Sequence, residues 1–308
     1  TAPAVAPRAD VGLIVHFSTS NYGNHLVNFA AARVLEQCGR SVELLHFRGH
    51  IEPTLRGSLA RLPLKLRRLG FRGVTDRVFG RVRRFLRKSS LPAQVEASAL
   101  TREARFRAFS DEHLRPRTVP VTSRHSLVAE YARFAIGSDQ IWNYDYQLGP
   151  WNFADFTATE HVITLSPSVG HSTIPLEWRA FYGEQLARFD EVGTRELDWT
   201  TTVPTAPGRP AYVQLIDPTL ALTRATWAKV ATSHVEAADR LLVYTLGELT
   251  GDDASFVRET LLHHNLEELR LSAREGGPHW ESNAADFLGA INACAGVVTD
   301  SYHGAVFA

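Results

Sequence analysis

At 308 residues and 44% hydrophobic content, the chain is long enough to build two cores of ordinary domain size. Lys plus Arg and Asp plus Glu balance at 33 each, so no global field steers it onto nucleic acid, and only local patches need weighing. Two cysteines, Cys38 and Cys294, exclude a disulfide framework, and no apolar run approaches the roughly 18 to 20 residues of a membrane span.

Residues 1–10, "TAPAVAPRAD", form a Pro/Ala tail without a hydrophobic signal core and are expected to be disordered. "VGLIVHF" (11–17) reads as a buried strand, "STSNYGN" as a polar turn, and "HLVNFAAARVLEQCG" as a helix stopped by Gly39. "SVELLHF" then supplies a second strand. The β-α-β order and the lack of alternation predict a parallel sheet covered on both faces. Cys38 and Cys294 fall in apolar stretches and read as packed thiols of a reducing compartment, which makes the cytoplasm the expected location.

From Arg56 to Lys88 the chain reads "RGSLARLPLKLRRLGFRGVTDRVFGRVRRFLRK", with Asp76 its only acid. One reading of this basic insertion is a solvated helical segment. The other is an interfacial segment whose arginines hold anionic lipid on the inner membrane face while its apolar residues enter the headgroup boundary. Nucleic acid is not expected, because aromatic stacking platforms and recognisable nucleic-acid motifs are missing from the stretch.

"RFAIG" (133–137) and "HVITL" (161–165) extend the sheet, and "VPTAPGRP" (203–210), with three prolines, marks an interdomain connection. The expected organisation is an N-terminal α/β domain over 11–205, carrying the basic insertion 56–88, and a C-terminal α/β domain over 206–308. In the latter, strands "AYVQLI", "LLVYTLG", "EELRLS" and "GVVTD" alternate with helices starting near Arg224, Asp252 and Asn283. Two such units facing each other leave a cleft at the carboxyl ends of their strands, where ligands of open α/β sheets bind.

The polar turns after the strands carry the candidate chemistry. In "NYGN" (21–24) Gly23 permits close backbone approach, and the following amides suit an oxygen-rich ligand. In "GSDQIWN" (137–143) Asp139 is a base or an acceptor for sugar hydroxyls, or else the cap of a following helix. "FDEVGTRE" sets Arg195 beside Glu196, and an arginine on a cleft can grip a carboxylate or phosphate with two N–H groups. In "DSYHGA" (300–305) the Ser301 hydroxyl and the start of a helix point at a bound anion, with His303 able to donate a proton, or the turn is an ordinary cap with a surface histidine. No spacing of His, Cys, Asp and Glu suggests a metal site.

Together and in this order, "NYGN", "GSDQIWN", "SPSVG", "TRE", "DPTLAL" (217–222) and "TDSYHGAVFA" resemble the polysaccharide pyruvyl transferase family over residues 11–308. The resemblance implies two Rossmann-like domains facing across a cleft in a GT-B-like fold, with phosphoenolpyruvate as donor substrate and no cofactor or metal. It implies His303 as general acid, Arg195, Ser301 and Gly304 on the donor, and Asn21, Tyr22, Asn24 and Asp139 facing a glycan acceptor, with a lipid-linked acceptor suggested by the basic insertion. Family members continue past the final turn and carry a further basic donor-binding residue there, so the C-terminal domain is expected to be incomplete. Two other readings share the architecture: a glycosyltransferase using a nucleotide sugar, and a catalytically inactive binding protein.

Overall fold

The computed structural model describes residues 8–18, 20–49, 93–146, 148–203, 210–232, 237–272 and 277–308. The basic insertion 56–88 and residues 204–209 of the expected interdomain connection lie outside the described residues, as do the first seven residues of the tail.

Five parallel strands form the first sheet: β1 (Ala9–Val15), β2 (Val42–Arg48), β3 (Arg117–Pro120), β4 (Tyr131–Ile136) and β5 (Val162–Thr164), in the order β3-β2-β1-β4-β5. Strand order therefore reverses beside β1, between β2 and β4. A gap opens there at the carboxyl ends, which is where doubly wound sheets take their ligands. Next come the short parallel pair β6 (Glu191–Thr194) and β7 (Ala211–Gln214). The Gly193 amide of β6 donates to Thr164 Oγ1 of β5 at 2.8 Å, which sets the pair alongside the first sheet. A third sheet, all parallel, contains β8 (Arg240–Thr245), β9 (Glu267–Ser272) and β10 (Gly296–Thr299) in the order β10-β8-β9.

Helix α1 (Tyr22–Gln37) starts where Asn21 Oδ1 accepts the Asn24 amide at 3.0 Å and ends in the turn at Gly39, whose φ of +74° suits glycine. Nearly all of its first three turns are buried. Such a helix must have partners on several sides. It lies between the first sheet and α6 (Ala284–Ala293), and the run Ala30–Ala31–Ala32 lets the layers approach closely. Leu13, Leu26 and Phe29 therefore share one apolar core with Leu242, Tyr244 and Phe287. One apolar core is thus shared by the first and third sheets, while Leu241, Val243 and Val257 form a smaller cluster of their own. A second core, containing Ile14, Phe134, Trp142, Phe153 and Trp199, covers the other face of the first sheet. Leu13 and Ile14 point into different cores, and this burial on both faces is why β1 shows no alternation.

The remaining helices are α2 (Ala93–His113), α3 (Leu176–Leu186), α4 (Arg224–Ala228), α5 (Gly251–His264) and α7 (Tyr302–Phe307). Cys38 departs from the sequence reading: it caps the end of α1 and is exposed, whereas Cys294 is half-buried, and both are free thiols. Among the described residues no helix is long and apolar enough to cross a membrane.

Candidate active site

Six parallel strands bring their carboxyl ends to one place. His16 follows β1, Asp139 β4, Ser168 β5, Arg195 β6, Asp217 β7 and His303 β10, each within a few residues of the strand's end. Residues far apart in the chain meet there because each sheet is parallel and its strand ends lie on one edge.

Asp217 is the centre of the cluster. It caps a short 3-10 turn, and its Oδ1 accepts both the amide (3.0 Å) and the hydroxyl (2.7 Å) of Thr219. Those bonds fix the carboxylate plane and aim Oδ2 at the Arg195 guanidinium, Nη1 at 3.0 Å, and at the His303 ring, Nε2 at 3.6 Å. The first contact is a charge-assisted hydrogen bond; the second is too long for one and is an ion pair made when the ring is protonated. The Asp217 side chain has no exposed surface. Burial alone would push its carboxyl up, but the His303 ring and the two Thr219 bonds outweigh it and hold the group well below the ordinary carboxylate range. Asp217 is therefore a permanent anion beneath Arg195 and His303.

Arg195 is 11% exposed. Its Nη2 donates to Ser168 Oγ at 2.9 Å, and its guanidinium lies 4.4 Å beneath the ring of Tyr302. Ser168 Oγ also accepts the Gly170 amide and donates to Glu196 Oε1. Burial would lower the guanidinium pKa, but Glu196, Asp217 and Asp139 raise it. Two of the five guanidinium N–H groups are used by Asp217 and Ser168, which leaves a set of donors for a ligand oxyanion.

His303 sits in α7 one residue after Tyr302, with its ring against the backbone of Gly23 at the start of α1. A Cβ on Gly23 would lie 2.3 Å from Nδ1, so only glycine fits under the imidazole. Nε2 is buried. The ring is consequently held between α1 of the first half and Asp217 near the start of the second. Ser301 caps α7 by accepting the Gly304 amide at 3.3 Å, and Gly304 packs on Thr299, where a Cβ would fall 2.4 Å from Oγ1. These two residues build the turn that presents His303.

The expected acceptor residues separate into two kinds. Asn24 and Asp139 are joined, Nδ2 donating to Oδ2 at 3.0 Å across the gap beside β1. Asn24 is buried, and its Oδ1 accepts the Ser18 amide while Nδ2 also reaches the His16 carbonyl, so its capacity is spent on aiming Asp139 and tying the turn down. Asn21 is the α1 cap. Tyr22 does not face an acceptor: it is fully buried and its ring stacks on Phe287 at 4.9 Å, within the shared core. Asp139 caps no helix. It adopts φ +58°, rare for a residue with a side chain, and residues 140–146 after it are turns. An aspartate held there is strain stored at a site.

Sequence reasoning left Asp217 without a role although "DPTLAL" was among the motifs. The usable signal was its position after β7, immediately before a proline and a threonine, which is a capping pattern for a carboxylate at a strand end. Ser168 and Tyr302 were equally unassigned, and only the meeting of three strands gives them a partner. Among the described residues no group of three His, Cys, Asp or Glu side chains is arranged to hold a metal ion.

The parallel α/β scaffold thus gathers a buried Arg195–Asp217–His303 cluster at its strand ends. The chain belongs to the polysaccharide pyruvyl transferase family, whose model matches residues 21–308. Membership implies transfer of a pyruvyl group to a polysaccharide. No curated protein and no solved structure matches the chain.

Proposed function

We propose that the protein transfers the enolpyruvyl carbons of phosphoenolpyruvate to two hydroxyls of one sugar in a glycan, forming a pyruvate ketal and releasing phosphate. The observation that carries this reading is the sharing of Asp217 Oδ2 by Arg195 and His303, which sets an anion-binding fork and a proton donor side by side. His303 protonates the methylene carbon, and the first hydroxyl attacks C2 as it loses its proton. Phosphate then leaves and the second hydroxyl closes the ketal. The proton lost by the first hydroxyl balances the one taken by the methylene, and the second leaves on phosphate, so no further reactant is needed. Arg195 grips the donor carboxylate or phosphate, and Asp139 accepts the proton of the attacking hydroxyl.

In this reading residues 11–205 form the acceptor side and 206–308 the donor side of a two-domain, GT-B-like arrangement. A lipid-linked acceptor, with the protein at the inner membrane face through its basic stretch, rests on the sequence of 56–88 alone. The test is product mass together with phosphate release, using phosphoenolpyruvate and a panel of glycan acceptors. A mass gain of one pyruvate less one water, with equimolar phosphate, is expected. Turnover of a nucleotide sugar with none of phosphoenolpyruvate would overturn the proposal.

A further inference from the structure

Tyr146 is 51% exposed, yet its ring is not loose. It lies flat on the imidazole of His16, with centroids 5.1 Å apart and planes 9° apart. His16 is the first residue beyond β1, at the gap where strand order reverses, and its carbonyl accepts from both Asn24 and Asn28 at 3.0 Å. The lower ring is thus anchored by the backbone beneath it, and burial lowers its pKa even though Asp139 opposes the shift. Among the described residues the upper ring keeps about half of its surface exposed.

The surroundings define what that surface accepts. The pKa of the Tyr146 hydroxyl is pushed up, by burial first and then by the Asp139 and Asp145 carboxylates. The same Asp139 charge reaches Arg195 and Tyr302. Asp139, fixed by Asn24 beside β1, therefore acts electrostatically on both the Tyr146 side and the Arg195 side of the site. Two carboxylates beside a ring repel phosphate and carboxylate groups, so the donor is disfavoured there. A neutral polyhydroxylated ring is favoured: its C–H face covers the aromatic π-surface while its edge hydroxyls donate to a carboxylate. Asn24 engages Asp139 Oδ2, and no hydrogen bond from the described residues reaches Oδ1.

We propose that the Tyr146–His16 stack is the platform on which a pyranose of the acceptor lies, with Asp139 at its edge aiming a hydroxyl pair toward His303. The assignment rests on the pyruvyl-transfer reading for the reaction but not for the binding. Because the lower ring fixes the upper one, stacking loses little rotamer freedom, and the platform selects the sugar face before phosphoenolpyruvate arrives.

The experiment has a binding arm and a rate arm. Saturation-transfer NMR of methyl hexopyranosides with the full chain, without phosphoenolpyruvate, is expected to show transfer to the C–H protons of one sugar face. Tyr146→Ala abolishes that signal, while Tyr146→Phe and Tyr146→Trp keep it. In initial-rate assays Tyr146→Ala raises the acceptor KM about tenfold and leaves the phosphoenolpyruvate KM within twofold. An unchanged acceptor KM overturns the platform, as does the absence of a Tyr146-dependent signal from every glycoside. A Tyr146-dependent signal without pyruvyl transfer by the wild type would instead sink the reaction assigned above and leave the platform standing.

Discussion

Asp217 and His303 face each other at 3.6 Å, and the same carboxylate oxygen holds Arg195 at 3.0 Å. One buried anion thereby sets the distance between the two groups assigned to the donor. Asp217→Asn keeps an oxygen for Thr219 but turns an amide toward the Arg195 guanidinium and the His303 ring. The expected result is a loss in kcat of about 100-fold, as for other residues that orient a catalytic histidine. Folding, followed by thermal melting, should survive, since the Thr219 cap remains. Wild-type kcat in a folded Asp217→Asn protein would remove Asp217 from the machinery.

Gly23 lies under the His303 ring with no room for a side chain. Gly23→Ala pushes the imidazole off its seat or separates α1 from α7. Either response costs about 1–3 kcal/mol of stability by overpacking and misplaces the proton donor. The measurable signature is a kcat loss that accompanies a modest drop in melting temperature, with the phosphoenolpyruvate KM less affected. A Gly23→Ala enzyme with normal kcat would show that the ring is free to move.

Arg195→Lys replaces a planar fork by a point charge. Lysine cannot satisfy Asp217 and Ser168 together while still presenting a paired set of donors to a ligand. The phosphoenolpyruvate KM should rise about tenfold or more, in keeping with the loss of one charge-assisted hydrogen bond, and the acceptor KM should hold. Parallel rises in both constants would point to a general disturbance of the cleft.

Much of the fold was legible because parallel strands buried on both faces show as short apolar runs. "EELRLS" coincides with β9 (Glu267–Ser272), and "GVVTD" contains β10. The region between the second and fourth strands was not legible in the same way. α2 has a polar sequence with no strong apolar stripe, and the five-residue α4 is far shorter than its starting signal suggested. At the site, Arg195 and His303 could be singled out as candidates from their turns. Their connection could not, because Asp217 binds them through an oxygen that sequence does not orient. Tyr22 shows the converse: it lies in a polar turn, yet the following helix turns its ring into the shared core.

That core is also tied by Arg102 of α2. Its guanidinium donates to Tyr22 Oη (3.0 Å), to the Ser20 carbonyl (2.7 Å) and to the Ser282 carbonyl (3.1 Å), and also to the Trp280 carbonyl. It stacks 4.1 Å from the Trp280 ring. The contacts join segments some 180 residues apart, so their loss is felt by both halves. Arg102→Met keeps the stem and removes the donors, leaving the buried Tyr22 hydroxyl and three partly buried carbonyls without their charged partner. A loss of about 3 kcal/mol or more is expected in urea unfolding. An unchanged midpoint would mean that water replaces the guanidinium at little cost.

His25 makes the stability of the chain depend on pH. It is wholly buried in α1, with Nδ1 on the Asn21 carbonyl (3.1 Å) and Nε2 on Ser110 Oγ (3.0 Å). Burial lowers its pKa to about 4, against the opposing pull of the Asn21 carbonyl. The unfolded chain takes up a proton as pH falls through roughly 6.5, whereas the folded ring stays neutral until about 4. The unfolded state therefore binds more protons in that window, and stability falls as pH falls, by roughly 3 kcal/mol from this group. Above the window its contribution is constant, and below about 4 no more is lost. His46 and His16, whose pKa values burial also lowers, add to the same slope. Urea unfolding at pH 7.5, 6.5, 5.5 and 4.5 reads the effect directly. Replacing the ring in His25→Gln should flatten the curve relative to the wild type, whatever the variant's stability at pH 7.5, and equal slopes for the two proteins would show that His25 is protonated in the folded state.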